Sequence, residues 1–282
     1  MRRRRVTAGD RAWRGFTLIE LLVVISIIGL LIGILLPALG AAYQRARVVA
    51  DAAKLRDLSM ATQMYLNDFD LALPQYFVEG FDGEPTPVGA LFGGKKGRLP
   101  LLEIDLVGAE RRPLNSYVIG GGVTPDLDAS GQPTPAVELP AFESPLDSGG
   151  RNLPVPGFEE TDSMYDLVGS SYTLNDHAPD ENPSGDDFPT LVPPHGGRLP
   201  PLVDSTKTWV LGTHTIYTFD DGGDELTNRG HDWFDGGGEI RANLAFADSH
   251  VETSLVVPPD QSPETADYTF LPRPDWIERP GF

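Results

Sequence analysis

The sequence predicts an α+β protein: a long N-terminal helix, membrane-spanning in its first part and amphipathic in its second, packs on an antiparallel β-sheet domain with long loops. Three observations predict this fold class. Residues 16–36 form an apolar run, apolar residues recur at three- and four-residue steps over residues 38–67, and short apolar runs then alternate with turn clusters. The expected segments are a leader at 1–15, a transmembrane helix at 16–37, a stem at 38–67 and a soluble domain at 68–282.

Composition narrows the classes of function. The 282 residues carry a net charge of −19, and the leader holds six arginines and one aspartate, so the chain from residue 16 onward has a charge of −24. Such acidity disfavours nucleic-acid binding, which relies on basic patches that neutralise phosphate. It is compatible with an exported protein and with attraction of divalent cations. The chain has no cysteine, which excludes disulfides, thiolate metal sites and cysteine nucleophiles.

The first element is the apolar run, and a single carboxylate, Glu20, interrupts it. The segment is long enough to cross a bilayer and follows a basic leader, which places the N-terminus in the cytoplasm. A charged side chain costs about 2.5–3.5 kcal/mol at the centre of a membrane helix and less near its end. An acid at this position therefore indicates a functional role.

The segment starts Gly-Phe-Thr-Leu-Ile-Glu-Leu at Gly15 and continues as an apolar run to Pro37. It resembles the N-terminal signal of type IV prepilins and type II secretion pseudopilins. The resemblance implies that prepilin peptidase cuts after Gly15 and that Phe16 becomes the methylated first residue. It also implies that Glu20 is the glutamate at the fifth mature position and that Pro37 is the helix-kinking proline.

Elementary physical chemistry fits this resemblance. In a stack of subunits, the positive N-terminus of one copy can pair with Glu20 of its neighbour, which offsets the desolvation of the acid and sets the axial register. Pro37 lacks a backbone donor and should kink or locally melt the helix. Gly29 and Gly33 have the small-xxx-small spacing that permits close helix contacts.

Two other interpretations of the same segment stay open at this stage. One is a cleaved secretory signal, for which residues 38–40 (Ala-Leu-Gly) would supply the small-residue cleavage site. The apolar run is longer than the roughly 7–15 residues of such a core, and Glu20 fits it poorly. The other is an ordinary transmembrane anchor with no role in assembly.

The stem should present one apolar face to the sheet of the soluble domain or to neighbouring stems. The apolar residues at helical spacing are Leu39, Ala42, Tyr43, Ala46, Val49, Ala50, Ala53, Leu58, Ala61, Met64 and Tyr65. The residues predicted for the opposite, polar face are Gln44, Arg45, Arg47, Asp51, Lys54, Arg56 and Asp57.

Beyond the stem, turn residues separate short apolar runs. We expect a loop at residues 67–94, a short helix or strand at 101–107 and an exposed loop at 176–201. The candidate strands are residues 116–119, 171–174, 208–211, 216–219, 243–247 and 251–255. The last two should form a hairpin around Asp248 and Ser249, with Asp248 as a turn residue rather than a catalyst.

Four short blocks carry a second, narrower resemblance. They are residues 112–117, 142–147, 170–175 and 243–251, and they resemble a downstream domain that some bacterial pilin-like proteins carry behind the same signal. Two departures are present. Ser144 stands where the family often has cysteine. Gly238 and Ser249 replace a histidine and the glycine of an Asp-Gly turn.

An acidic turn provides the candidate metal site. Asp220, Asp221, Asp224 and Glu225 flank two glycines, and hard cations such as calcium bind several oxygens on a tight loop. Major pseudopilins often bind calcium near their C-terminal region, and the resemblance extends that implication here. The spacing is not that of an EF-hand, and a solvated acidic turn is the alternative interpretation. Further oxygens would come from Asp232, Asp235 and Glu239.

No catalytic arrangement emerges from the sequence. The five histidines, His177, His195, His214, His231 and His250, lack zinc-site spacing, and there is no Gly-x-Ser-x-Gly elbow or phosphate-binding glycine loop. Ser249 and His250 are adjacent strand residues and should point to opposite faces. The aromatic residues Trp209, Tyr217, Trp233 and Phe246 are expected in the core or at an interface.

The expected protein is a non-enzymatic, single-pass subunit of the cytoplasmic membrane with a pilin-like fold and an extracytoplasmic C-terminal domain. It would assemble into a type II secretion pseudopilus or related type IV filament. Its partners would be prepilin peptidase, copies of itself, other pilin-like subunits and the assembly machinery. The rival interpretations are a membrane-tethered binding module outside any filament and an anchored hydrolase.

Overall fold

A computed structural model describes residues 18–80, 83, 85–128, 130–132, 134–151, 153, 155–176, 191, 197–216, 233–234, 239–258 and 264–272. The chain divides into two compact units, Met1–Arg45 and Ala46–Phe282. We call residues 69–282 the head domain. The α+β prediction is confirmed, because a long apolar helix precedes antiparallel sheets.

Helix α1 runs over Leu18–Asp68 without a break at Pro37, so the predicted local melting does not occur. By length and composition it can cross a membrane, and it is the one such helix among the described residues. Its first part, residues 18–36, is apolar apart from Glu20, Ser26 and two glycines. Residues 70 and 71 then adopt positive φ, and the backbone leaves the helix there.

The smaller elements of the head domain come first in the chain. Strands β1 (Phe77–Glu79) and β2 (Pro85–Pro87) form an antiparallel hairpin, and helix α2 spans Asn115–Ile119. Strands β3 (Gly150–Arg151) and β4 (Glu160–Thr161) form a second pair, followed by helix α3 (Met164–Val168). Among the 3-10 turns are those at Gly89–Phe92, Ala109–Arg111 and Pro140–Phe142.

The main sheet has four antiparallel strands in sequence order: β5 (Tyr172–Leu174), β6 (Trp209–Thr213), β7 (Arg241–Phe246) and β8 (Val251–Val256). Four predicted strands are therefore confirmed. The predicted turn of the last hairpin is also present, with Ser249 at φ +71°.

Two apolar layers cover the two faces of this sheet, because successive strand residues point to opposite sides. On one face Leu211 and Ala245 pack in a cluster with Leu55 and Leu58 of α1. On the other face Trp209, Leu244 and Phe246 pack with Tyr268 and Phe270, which belong to the segment after β8. A third cluster joins residues 78–107 to α3, Trp233 and Phe234.

Two local predictions are wrong, and a third is contradicted at the one residue of it that the structure describes. Residues 116–119 form part of α2 instead of a strand, since the five residues from Asn115 close a helical turn that ends at Gly120 in the left-handed region. Residues 101–107 form turns, neither helix nor strand. Ile216 lies in a 3-10 turn, and residues 217–219 of that predicted strand lie outside the described part of the chain.

The loop predictions are corrected in part. Residues 67–94 contain the β1–β2 hairpin and a 3-10 turn, because Val78, Val88 and Leu91 are drawn into an apolar cluster. In the predicted exposed loop at 176–201, Leu191 is fully buried and packs in the cluster between α1 and the sheet. Most of that loop lies outside the described residues.

Candidate assembly segment and stem–head joint

The apolar run of α1 is exposed along its whole described length. From Leu18 to Leu36 no residue is buried, and Glu20 lies in the first turn of the helix. Gly15 and Phe16, the predicted cleavage and methylation residues, lie outside the described residues. An exposed surface of this kind is stable only in lipid or against other apolar helices.

Inside this segment the few polar or small residues are compatible with close packing. Ser26 donates its hydroxyl to the carbonyl of Leu22 at 2.7 Å, so its polar group is satisfied within the helix. A Cβ added at Gly29 or Gly33 would meet no atom within 4 Å. The predicted small-xxx-small surface is therefore open to a neighbour.

The stem has two apolar faces where the sequence predicted one. Leu55, Leu58 and Leu66 are buried against the head domain. On the other side Val49 is 69% exposed, Met60 47% and Met64 57%. The predicted stripe combined residues from both faces. Leu58 and Ala61 face the sheet as expected, whereas Val49, Ala50, Ala53 and Met64 do not.

The predicted polar face is wrong at Asp51, which is fully buried between the stem and the head domain. Its Oδ1 accepts hydrogen bonds from the Ser144 hydroxyl and, at 2.7 Å, from the Tyr172 hydroxyl. Its Oδ2 accepts from Nδ2 of Asn243 at 2.5 Å. We call Asp51, Ser144, Tyr172 and Asn243 the stem–head joint.

Burial dominates the electrostatics of the joint. All three donors are neutral, and their hydrogen bonds only partly offset the loss of water around the carboxylate. Burial therefore raises the pKa of Asp51, against the opposing effect of the three donors and of Lys54. Burial and the neighbouring Asp51 carboxyl hold the pKa of Tyr172 well above its usual range.

Two basic residues of the stem flank Asp51 on the same helix face. Arg47 donates through Nε to the carbonyl of Pro145 at 2.6 Å. Lys54 donates to the carbonyls of Pro140 and Glu143 at 2.6 and 2.7 Å. Arg47 and Lys54 are four and three positions from Asp51 and therefore lie on the same side of the stem. Together the three side chains hydrogen-bond to residues 140–145.

Three of the four short blocks that resemble a downstream pilin-like domain contribute residues to this joint. Ser144, Tyr172 and Asn243 come from three of the four blocks, and they meet on one carboxylate that none of the blocks contains. The spacing of Asp51 in the sequence indicates that it lies on the buried face, although it was predicted for the polar face. Asp51 lies four residues before Leu55 and seven before Leu58, in phase with the buried face.

The remaining block holds a buried arginine. Arg112 donates through Nη1 to the carbonyls of Ala90 and Gly93 at 3.1 and 2.9 Å, and through Nη2 to the carbonyl of Val168 at 3.0 Å. Burial lowers the pKa of Arg112 to about 9, so its guanidinium stays charged at neutral pH. Asn115 pairs twice with Gly94, so this block organises the adjoining loops.

The predicted calcium ligands Asp220, Asp221, Asp224 and Glu225 lie outside the described residues, as do Asp232 and Asp235. Glu239 pairs with Arg241 at 2.7 Å. Within the described ranges, no group of three or more histidine, aspartate or glutamate side chains could hold a metal ion. Calcium binding stays a prediction.

At the β7–β8 hairpin, Asp248 accepts hydrogen bonds from the backbone nitrogen of His250 at 3.1 Å, and its Oδ1 lies 2.5 Å from Nδ1 of the same ring. The ring stacks on Phe246 at 4.2 Å. Asp248 therefore acts as a turn residue, as predicted.

Four aromatic residues were expected in the core or at an interface. Of these, Trp209, Trp233 and Phe246 are buried, and Tyr217 lies outside the described residues.

A cleft of about 780 Å³ opens beside the 3-10 turn at Ala109–Arg111. Its charged lining residues are Lys95, Lys96, Arg98, Glu110, Arg111, Asp126, Glu138 and Asp166. The acids largely neutralise the bases: Lys95 pairs with Glu138 at 3.0 Å and with Asp166 at 2.6 Å. The volume is within the range of small-molecule sites.

Comparison with known proteins identifies the N-terminal segment. Residues 14–36 match the prokaryotic N-terminal methylation motif, the type IV prepilin-type signal. No curated protein and no solved structure matches the chain.

Motif and helix together fit a class, proteins anchored in the inner membrane by an N-terminal helix with a prepilin-type signal, and α1 is the one candidate span in the described part of the chain. More particularly, the signal over these residues supports a type IV pilin- or pseudopilin-like precursor and is typical of a structural subunit. It implies processing by prepilin peptidase and assembly with pilin-like subunits.

Proposed function

We propose that the chain is cut after Gly15, methylated at Phe16 and assembled through residues 16–36 into a type II secretion pseudopilus or related type IV filament. The head domain would lie on the extracytoplasmic side. In the assembly, the methylated N-terminus of one copy would pair with Glu20 of its neighbour, which offsets the desolvation of that carboxylate in an apolar bundle.

One observation carries the assembly proposal beyond a simple anchor: the stem keeps an exposed apolar face inside the unit that also contains the sheet. A lipid anchor explains the exposure of residues 18–36, but Met60 and Met64 are part of the second compact unit. Neighbouring stems would cover this face, since apolar side chains exposed on one side of a helix favour contact with another apolar surface.

The test compares two polar residues of the same helix. A photo-crosslinker replaces Leu31, which is exposed, in cells that carry the assembly machinery. We expect crosslinks to other copies or pilin-like subunits, reduced at least about tenfold by Glu20→Ala because register is lost. Ser26→Ala is the matched control, since Ser26 bonds only within its helix turn in the described contacts, and it should leave the crosslinks unchanged. Undiminished crosslinks in Glu20→Ala contradict the proposal.

The second candidate function is a membrane-tethered binding module, and the charged cleft is the observation that favours it. Such a module needs no dense contacts between stems. Absence of crosslinks from Leu31 in otherwise processed protein would favour this function over assembly.

A further inference from the structure

Asp51 is a buried acid that neither processing nor filament packing uses. Three separate parts of the head domain direct donors to it: Ser144 after a 3-10 turn, Tyr172 in β5 and Asn243 in β7. Such a convergence on one helix residue specifies both the rotation of the stem about its axis and its position along the sheet.

No cation hydrogen-bonds to this carboxyl group in the described contacts. Lys54 and Arg47, the basic residues nearest to it on the stem, direct their donors to backbone carbonyls of residues 140–145. On the head side, the Asp147 carboxylate lies close enough to Tyr172 to act on its ionisation, and it adds negative charge. Asp147 itself is held by the Ser171 hydroxyl at 2.6 Å and the Tyr165 backbone nitrogen at 2.8 Å.

The other ionisable groups around the joint come from β6 and from the segment at residues 140–145. His214 follows β6 and is buried, and its backbone nitrogen donates to Ser171 at 3.0 Å. Glu143 contributes its backbone carbonyl to Lys54, while its side chain is exposed. The hydrogen-bond donors to Asp51 are thus neutral, and Lys54 is the charged group that acts on its carboxyl, so the burial of a negative charge there is offset only in part.

We propose that Asp51 makes the stem–head joint responsive to protons: a proton on its carboxyl group tightens the contact between stem and sheet, and loss of that proton loosens it. A protonated carboxyl group keeps one oxygen as an acceptor, such as Oδ1 for the Ser144 and Tyr172 hydroxyls, and the proton removes a buried charge that its surroundings offset only in part. The inference rests on contacts within one molecule and holds whether or not the chain enters a filament.

The sign of the effect follows from linkage. Because burial raises the pKa of Asp51 in the folded protein above that of the unfolded chain, the contribution is fully present below the unfolded pKa. It is lost as the pH rises through the folded pKa. Each unit by which the two pKa values differ corresponds to about a tenfold change in the opening equilibrium.

The experiment measures hydrogen exchange of the full chain in detergent micelles between about pH 5 and pH 8, with protection factors corrected for intrinsic exchange rates. The reporters are the backbone amide of Leu146, which bonds to the Ser144 hydroxyl at 3.0 Å, and the amides of residues 55–62. We expect wild-type protection at these amides to fall as the pH rises.

Three variants and one control make the result specific. Asp51→Asn mimics the protonated acid and should flatten the pH profile of protection. The double variant Asp51→Asn with Asn243→Asp exchanges the two side chains, so that the carboxyl group lies on the sheet side of the same hydrogen bond. The pH dependence of protection should return in this variant. Tyr172→Phe removes a donor that stabilises the carboxylate and should shift the midpoint to higher pH. Asp57→Asn, at an exposed position of the stem, should behave as the wild type.

Two results would overturn the proposal. The first is a wild-type pH profile in Asp51→Asn, because the responsive group would then lie elsewhere. The second is a flat profile in the exchanged pair, because an acid on the sheet side of the same hydrogen bond must titrate there too. If Asp51→Asn does not fold, the exchanged pair and Tyr172→Phe decide the question with the same readout.

Discussion

At the scale of single residues, adjacent positions in this chain have opposite roles. Arg111 is an exposed side chain at the rim of the cleft, and its neighbour Arg112 is buried and donates to three backbone carbonyls. Buried backbone carbonyls need hydrogen-bond donors, and here the guanidinium supplies them to carbonyls from separate loops, where no strand pairing does so. Composition and charge counts cannot separate the two arginines.

This contrast gives a stability prediction with an internal control. Arg112→Met leaves three buried carbonyls without a donor, at about 1–3 kcal/mol each, and should reduce the free energy of unfolding by about 3–5 kcal/mol. Arg111→Met should change it by less than about 1 kcal/mol, since exposed ion pairs contribute little. Denaturant unfolding of the full chain in micelles measures both. Equal effects of the two substitutions would refute the role assigned to Arg112.

At the scale of elements, the two halves of α1 have different surroundings. Its first half is exposed and apolar, as lipid or a bundle requires, and its second half buries Leu55, Leu58 and Leu66 while exposing Met60 and Met64. A helix with apolar residues on two faces has only a weak amphipathic pattern. That weakness is the physical reason why the predicted single stripe merged the two faces.

The exposed face leads to a prediction about assembly. The double substitution Met60→Ser with Met64→Ser should reduce stem crosslinks about tenfold and leave the stability of the isolated subunit within about 0.5 kcal/mol, because exposed positions contribute little to folding. Val203→Ser, another exposed apolar position in the head domain, is the matched control and should affect neither property. Normal crosslinking in the double variant would show that this face is not covered by a neighbouring subunit.

At the scale of the whole molecule, processing changes both the length and the charge of the chain. Removal of residues 1–15 takes away six arginines and one aspartate, so the mature subunit would be more acidic than its precursor. Many acidic subunits in one filament repel one another, and apolar stem contacts would have to offset that repulsion. Filament stability should therefore increase with ionic strength, which screens exposed charges.

The cleavage itself is the most direct prediction at this scale. Gly15→Leu should block the peptidase by bulk at the cut site and leave nearly all of the protein as precursor, while Gly29→Ala, where an added Cβ meets no atom, should be processed normally. Mass spectrometry of the membrane-extracted chain measures the N-terminus and its methyl group. A wild-type protein that begins anywhere other than Phe16 would contradict the assigned cut.

The sequence alone determined the features that depend on local order along the chain. Residues 14–36 carry a linear signal, helical spacing predicted the C-terminal end of α1 to within a residue, and alternation with a turn predicted the β7–β8 hairpin. Each of these features is set by near neighbours, so a pattern of residue types is sufficient to predict it.

Tertiary structure alone decided which side of the stem faces the head domain and what Asp51 contacts. Ser144, Tyr172 and Asn243 lie 93, 121 and 192 residues from Asp51 along the chain. A charged residue is assigned to solvent by its type, and only donors brought together from distant segments can stabilise it in the interior.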